Sequence, residues 1–299
     1  LNFMCVCENA LDFYTQVCEE FNSYVFRAKP PIETFHPFFE KAFWEMLENG
    51  GKRFRPKLFL AVLCAFEHDI EAVRISFPVA LALEVLHTYS LIHDDLPCMD
   101  NASLRRGHPT LHKTYGVTTA TLVGDGLNTY AFYCITQACL DSTLKVQLIA
   151  LLAMCGGIGG MVLGQALDCY FEHKALNCQE LETLHTLKTA QLIAASLKMG
   201  ALVVGDRAPS NLPQALFDFG IQLGLFFQVR DDIIDRTQSP AQSGKSTQLD
   251  TFKNNYVNLL GLPQAKTYLQ ELKVNLLKTL ATFPSTLALY LQTLLKELA

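Results

Sequence analysis

Two short stretches of this 299-residue chain gather carboxylates where the surrounding pattern is apolar. "LIHDDLPCMD", residues 91–100, holds Asp94, Asp95 and Asp100, with Pro97 between the second and the third. "FQVRDDIID", residues 227–235, holds Asp231, Asp232 and Asp235. In the second stretch the spacings of three and four predict a helix with all three aspartates on one face, extended a turn upstream by Gln228. Three carboxylates there repel one another, and the macrodipole disfavours anions near a helix C-terminus. The flanks "GLFFQV" and "II" are too apolar for a merely solvated face. The pattern calls for a cation.

The first stretch works differently. Asp100 lies six positions after Asp94, about 120° around an ideal helix, so a straight helix would not bring the two together. Proline pushes the residue before it out of the helical region, which predicts a helix end near Asp95 or Leu96. Asp100 then belongs to a loop that can fold back over that end. Leu91, Ser90 and His87 fall on or near the face of Asp94. No accompanying His/Cys set favours zinc or copper. Hard carboxylate oxygens suit Mg²⁺, which typically takes one or two carboxylates and completes its shell with water and substrate phosphates. The cations that would meet such phosphates are present. Lys52, Arg53 and Arg55 follow a Gly-Gly stop in "GGKRFRP", and Arg105 and Arg106 follow the first aspartates in "LRRGHPT". Lys188 and Thr189 lie mid-chain, and Lys245 and Lys253 follow the second aspartates. Guanidinium forks match phosphate oxygens. Together these groups point to a diphosphate site.

The elements that must hold them are helical. Half of the residues are hydrophobic and 18% are charged, enough apolar material for a large core. Good helix formers fill the long segments, and alternating strand patterns are scarce. Breaks at "AKPPIETFHP", "NGGKRFRP", "LPCMDNASLRRGHPT", "VVGDRAPSNLP" and "TQSPAQSGKSTQ" separate predicted helices near 7–27, 36–49, 56–68, 72–95, 116–139, 143–171, 179–204, 212–235 and 262–297. The last could be two helices around "TFPST". The expectation is one all-α domain over 1–299, a bundle of about ten helices around a central cavity.

Composition narrows the function classes. A net charge of -5 with no basic stripe offers no footprint for nucleic acid. Ten cysteines occur without a CxxC pair, and most lie in apolar runs, which suits buried thiols in a reducing compartment and a cytoplasmic protein. Glu8 and Asp12 interrupt the apolar start, against a secretory signal. "VQLIALLAMCGGIGGMVLGQAL", 146–167, is long enough to cross a bilayer. Its four glycines within 156–160, its glutamines and the adjacent Asp168 favour instead a helix buried on all sides of the core, and no transmembrane span.

Six blocks in order, "GGKRFRP", "LHTYSLIHDDLPCMDNASLRRGHPT", "GDGLNTYAF", "GGMVLGQALD", "LHTLKTAQLI" and "FQVRDDIID", resemble the trans-type prenyl diphosphate synthases of the farnesyl/geranylgeranyl diphosphate synthase family over roughly residues 30–265. The resemblance implies head-to-tail condensation of isopentenyl diphosphate with an allylic diphosphate, dimethylallyl or geranyl. Diphosphate departs from the allylic substrate, the isopentenyl double bond attacks the carbocation, and a proton passes to the released pyrophosphate. By motif position Asp94, Asp100 and Asp231 would be direct ligands of Mg²⁺, with three ions bound alongside the substrate diphosphate. Asp95, Asp232 and Asp235 would bind through water or as second ligands. Lys52, Arg55, His87 and Arg106 would hold isopentenyl diphosphate, and Arg105, Lys188, Lys245 and Lys253 the allylic diphosphate. Thr189 and Gln228 would turn oxygen dipoles to the developing cation. Gln165 and Asp168 could line the same cavity or serve helix packing. Tyr89 and Ser90 would set product length, with farnesyl diphosphate favoured over geranylgeranyl diphosphate. A homodimer is the family expectation.

Three positions depart from the family pattern: Asn255-Tyr256-Val257 where Thr-Tyr-Pro is common, Asn101-Ala102-Ser103 in place of a longer acidic run, and Arg230 before the second aspartates. Other readings fit less well. A metal phosphohydrolase on His93-Asp94 would want further histidines. "SGKST" lacks the first glycine of a phosphate loop, because Ser239 stands there. A terpene cyclase has little need for Lys52 and Arg55. A regulatory subunit of a heteromeric synthase would tend to lose one aspartate motif, and this chain keeps both.

Overall fold

The structure, a computed structural model, describes residues 2–237 and 254–298. Helix α1 (Asn2–Arg27) leads through an irregular stretch to α2 (Phe39–Glu48), α3 (Phe54–Phe66) and the short α4 (Ile70–Arg74). The helix expected over 72–95 is interrupted at Ile75–Ser76. Asp69 caps α4 by accepting from the Glu71 amide, and a new helix, α5 (Phe77–Asp94), starts with proline in its first turn, where the missing N–H costs nothing. Val79, Ala80, Ala82, Leu83 and Val85 of α5 are fully buried. The helix runs through the core against α7 (Val117–Thr136) and α3. Each of the valines and the leucine contributes about 1.5–3 kcal/mol of burial free energy.

Between α5 and the short α6 (Leu111–Tyr115) lies a two-stranded antiparallel ribbon, β1 (Leu104–Arg105) and β2 (His108–Pro109). Its turn residues Arg106 and Gly107 both have positive φ, 54° and 79°, the geometry of a tight hairpin. The expected 143–171 helix is two helices, α8 (Ser142–Gly156) and α9 (Met161–Phe171), parted at 157–160 where three of the four residues are glycine. It is also not buried on all sides. Leu148, Leu152 and Cys155 face the core, but Val146, Met154, Ile158 and Val162 are exposed, because α8 and α9 pack on the bundle along one side only. By length and composition, 142–171 and 178–207 could each span a bilayer; 33% and 61% of their most apolar windows are buried.

Helix α10 (Cys178–His185) opens with a capping box between Asn177 and Glu180. It passes through a π turn, Thr186–Ala190, into α11 (Gln191–Val204). Helix α12 (Leu212–Thr237) packs along α11. After the undescribed interval come α13 (Tyr256–Leu260), α14 (Leu262–Leu280) and α15 (Ser285–Leu298). The tail is thus two long helices, broken around Pro284. The all-α expectation holds, with more and shorter helical pieces than the sequence suggested.

Candidate active site

The C-terminal end of α5 and its return loop form one wall. Helix α5 stops at Asp94, and the Asp95 and Leu96 amides tighten the last turn onto the Leu91 and His93 carbonyls. Beyond Pro97 the chain reverses, and the Asp100 amide donates to the Asp94 carbonyl at 2.8 Å. The loop therefore folds back as the proline predicted. The Asp100 carboxylate lies close enough to act on Asp94. Burial raises the Asp94 carboxyl to about 6; Lys188 and Arg105 draw it down, Asp100 and Asp95 push it up. Along α5, His87, Ser90, Leu91 and Asp94 are partly exposed on one side, while Tyr89 is buried with its ring edge-on to His93 at 5.7 Å. Ser90 Oγ donates to the His87 carbonyl at 2.8 Å.

Asp95 is held differently from Asp94. Both of its oxygens accept from Arg105 Nε at 2.8 Å, and Arg105 Nη2 approaches to 2.6 Å. Burial raises the Asp95 carboxyl, and Arg105 opposes the rise. Burial lowers the Arg105 guanidinium, but Asp95 more than restores it. This carboxylate is engaged in orienting Arg105, a duty beyond the metal-side role expected of it.

Of isopentenyl diphosphate's expected ligands, Arg55 and Arg106 come near His87, two turns down α5 from Asp94. Arg55 and His87 face each other's field, as does Arg106. Arg55 Nε and His87 Nδ1 are buried without a hydrogen-bond partner. Burial brings Arg55 down to about 10 and holds His87 well below its ordinary range, so His87 is neutral. Arg106 Nη1 donates to the Gly50 carbonyl. Lys52 is exposed just before α3. Its neighbour Arg53 turns the other way, donating to Asn22 Oδ1 at 2.7 Å.

The opposite wall comes from α9, the π turn and α12. A π turn inserts an extra residue into the helix and often marks a functional site. Here it carries Lys188 and Thr189. Gly164 of α9 lets this turn come close: a Cβ there would sit 2.2 Å from the Lys188 backbone nitrogen. Lys188 Nζ meets Asp168 Oδ2 at 2.5 Å. Burial lowers the Lys188 ammonium, but Asp168, Asp94 and Asp100 raise it on balance, so it stays charged. Thr189 Oγ1 donates to Gln228 Oε1 at 3.2 Å, and Gln228 Nε2 donates to Asp232 Oδ1 at 2.9 Å. Gln165 Nε2 reaches Met99 Sδ at 3.6 Å, linking α9 to the Asp100 loop.

The three aspartates of α12 lie on one unbroken helix and act on one another, but they differ in burial. Asp231 is partly exposed and Asp235 exposed, but Asp232 is buried and accepts the Tyr256 amide at 2.8 Å. Burial raises Asp232 to about 7, against hydrogen bonds from Tyr256 and Gln228. Its hydrogen bonds thus tie α12 to the start of α13, where the sequence departs from the family pattern. Asn255 caps α13 by accepting from Asn258, and Asn254 binds the Phe171 and Lys174 carbonyls at 2.7 and 2.9 Å. Arg230 Nη1 lies 3.6 Å from Asp231 Oδ1. Lys245 and Lys253 lie outside the described residues.

Glu84, Asn254 and the buried His185 were not singled out from sequence. A lone glutamate in the apolar run "VALALEVL" was the available signal for the first. Among the described residues, no three His, Cys, Asp or Glu side chains could by themselves hold a metal ion. Carboxylate oxygens are hard donors that suit Mg²⁺, whose shell substrate phosphates and water complete.

Residues 36–279 match the family model described as polyprenyl synthetase. Farnesyl diphosphate synthase of Geobacillus stearothermophilus is 44% identical over 232 residues, 76% of each chain. That of Haemophilus influenzae is 42% identical over 238 residues, 79% of this chain and 80% of the relative. A Helicobacter pylori geranyltransferase, solved with magnesium and isoprenyl diphosphate, superimposes with a TM-score of 0.92 at 53% identity, covering 97% of each chain. With its aspartate, arginine and lysine blocks in this arrangement, the chain belongs to the polyprenyl synthetase family.

Proposed function

We propose that the protein is a prenyltransferase that condenses isopentenyl diphosphate with dimethylallyl or geranyl diphosphate to give farnesyl diphosphate. The observation that carries this reading is a pairing of opposites along α5. Unpartnered buried nitrogens of Arg55 and His87 lie beneath the acidic Asp94–Asp100 end, and charged Lys188 acts on that end. One anion fits the first place, and an anion with its counter-cation fits the second.

Asp94, Asp100 and Asp231 would hold Mg²⁺, which when bound withdraws charge from the departing diphosphate. Lys188, fixed by Asp168, and Arg105, fixed by Asp95, meet the same diphosphate and stabilise the charge that develops as its bond to carbon breaks. Thr189 and Gln228 are locked to each other and to Asp232, so their dipoles are set before the carbocation forms. Arg55, His87 and Arg106 anchor isopentenyl diphosphate and thereby aim its double bond at that cation.

The same reading includes a homodimer and a reducing, cytoplasmic setting. Leu122 and Tyr133 on α7, and Val146, Met154, Ile158 and Val162 on and between α8 and α9, are exposed apolar side chains that a second copy would cover. Cys18, Cys64, Cys134 and Cys155 are buried free thiols. Incubation with radiolabelled isopentenyl diphosphate, Mg²⁺ and each allylic starter, followed by chromatography, tests the activity. A fifteen-carbon product is expected; no prenyl product from any starter would falsify the reading. Light scattering at micromolar concentration tests the dimer.

A further inference from the structure

Glu84 lies on α5, one turn before His87 and on the same side of the helix. It is 3% exposed, in a run whose neighbours are aliphatic. A buried carboxylate is costly unless cations attend it. Three attend this one: Arg106, Arg55 and Arg53, in that order of effect. Arg53 is committed to Asn22 and lies over the Phe26 ring, so it adds field but is not free to move. Arg55 and Arg106 are the pair left facing the place expected to receive isopentenyl diphosphate.

Arg106 is bounded on two sides. Glu84 Oε1 lies 4.0 Å from its Nη2. Its Nη1 donates to the Gly50 carbonyl, and the guanidinium rests directly on Gly51, where an added Cβ would come within 2.5 Å of Arg106 Cζ. Gly51 also has a φ of +128°, a conformation that side chains disfavour. A separation of 4.0 Å is an attraction between charges, too long for a hydrogen bond. It can therefore orient Arg106 without using up the N–H groups that phosphate oxygens need. Arg55 follows the same logic, because its Nε remains without a partner while Glu84 supplies the compensating charge.

We propose that Glu84 is a positioning residue: its carboxylate, opposite the Gly50–Gly51 backbone, holds Arg55 and Arg106 in the arrangement that receives the diphosphate of isopentenyl diphosphate. Without it two buried guanidiniums repel each other in the empty site and separate. This inference rests on the function proposed above and deepens it.

The test compares Glu84→Gln with wild type, varying isopentenyl diphosphate and geranyl diphosphate in turn. Positioning predicts that KM for isopentenyl diphosphate rises about tenfold while KM for geranyl diphosphate stays within about twofold. Simple electrostatics predicts the reverse sign, since removing a negative charge makes the pocket more attractive to an anion. A KM for isopentenyl diphosphate that is unchanged or lower overturns the proposal. If circular dichroism shows that Glu84→Gln does not fold, Glu84→Asp takes its place. It keeps the charge but withdraws it by one methylene, and a selective rise is again required; an unchanged KM again overturns the proposal. Wild-type protein that makes no prenyl product sinks the underlying function, and that outcome is distinct from an active wild type with an indifferent Glu84.

Discussion

Both carboxylate oxygens of Asp95 accept from Arg105 Nε at 2.8 Å, while its neighbour Asp94 carries no such pair and faces Asp100 and Lys188 instead. Adjacent aspartates thus carry different work. Asp94→Asn is expected to raise the Mg²⁺ concentration for half-maximal rate and to lower kcat by at least about a hundredfold, the scale of losing a charge-stabilising group. Asp95→Asn should chiefly raise KM for the allylic substrate, because Arg105 loses its guide, with the Mg²⁺ requirement little changed. Identical Mg²⁺ titrations of the two variants would contradict this division.

Arg230 places a guanidinium 3.6 Å from Asp231, an expected metal ligand. A fixed cation competes with Mg²⁺ for the same carboxylate field. Arg230→Gln should therefore lower the Mg²⁺ needed for half-maximal activity, by about twofold to fivefold for a partly exposed pair. An unchanged or increased requirement in Mg²⁺ titrations would count against the competition.

Stability of the metal-free protein should depend on pH through Asp232. Its carboxyl stands at about 7 when folded, against an ordinary value of 3.8. The folded state therefore keeps a proton that the unfolded state releases. This contribution is full below pH 3.8 and is lost as pH rises through 7, on the order of 4 kcal/mol in all. His185 acts oppositely: burial lowers it to about 4, so its contribution is full above about 6.5 and lost as pH falls towards 4. The difference between wild type and Asp232→Asn in urea unfolding isolates the first term. Wild type should lose stability relative to the variant between pH 4 and 7. Parallel pH profiles would rule out the Asp232 account.

Product length should respond to Ser90 and Tyr89 in opposite senses. Ser90 is partly exposed on the side of α5 that carries His87 and Asp94. Ser90→Phe fills that side and should shorten the product. Tyr89 is buried, so Tyr89→Ala opens space and should shift product towards twenty carbons, at a stability cost of about 3 kcal/mol. Chromatography of labelled products reads both; unaltered lengths in both variants would remove these residues from the chain-length floor.

Much of the site was legible before any coordinates. Pro97 foretold the end of α5 and the return of Asp100, because the restriction a proline imposes is local. The Gly-Gly stop before Lys52 and the carboxylate donors at both clusters are likewise properties of short stretches. Periodicity placed Asp231, Asp232 and Asp235 on one side of α12 but could not say how deeply each is buried. In the structure Asp232 turns inwards to accept the Tyr256 amide, a partner 24 residues away. Nor could spacing assign both oxygens of Asp95 to Arg105.

The sequence by itself determined the helical class, the helix stops and the charges available to the chemistry. Propensity, proline geometry and residue identity act within a few positions. Only the tertiary structure decided which charges meet. Glu84 reads as a stray acid in an apolar helix until Arg106, which rests on Gly51, and the charge of Arg55 are brought to it from other parts of the chain. The 146–167 segment reads as interior until packing leaves one side of α8 and α9 uncovered. Burial and pairing are relations between distant segments, and the free energy of a charge depends on those relations more than on its place in the chain.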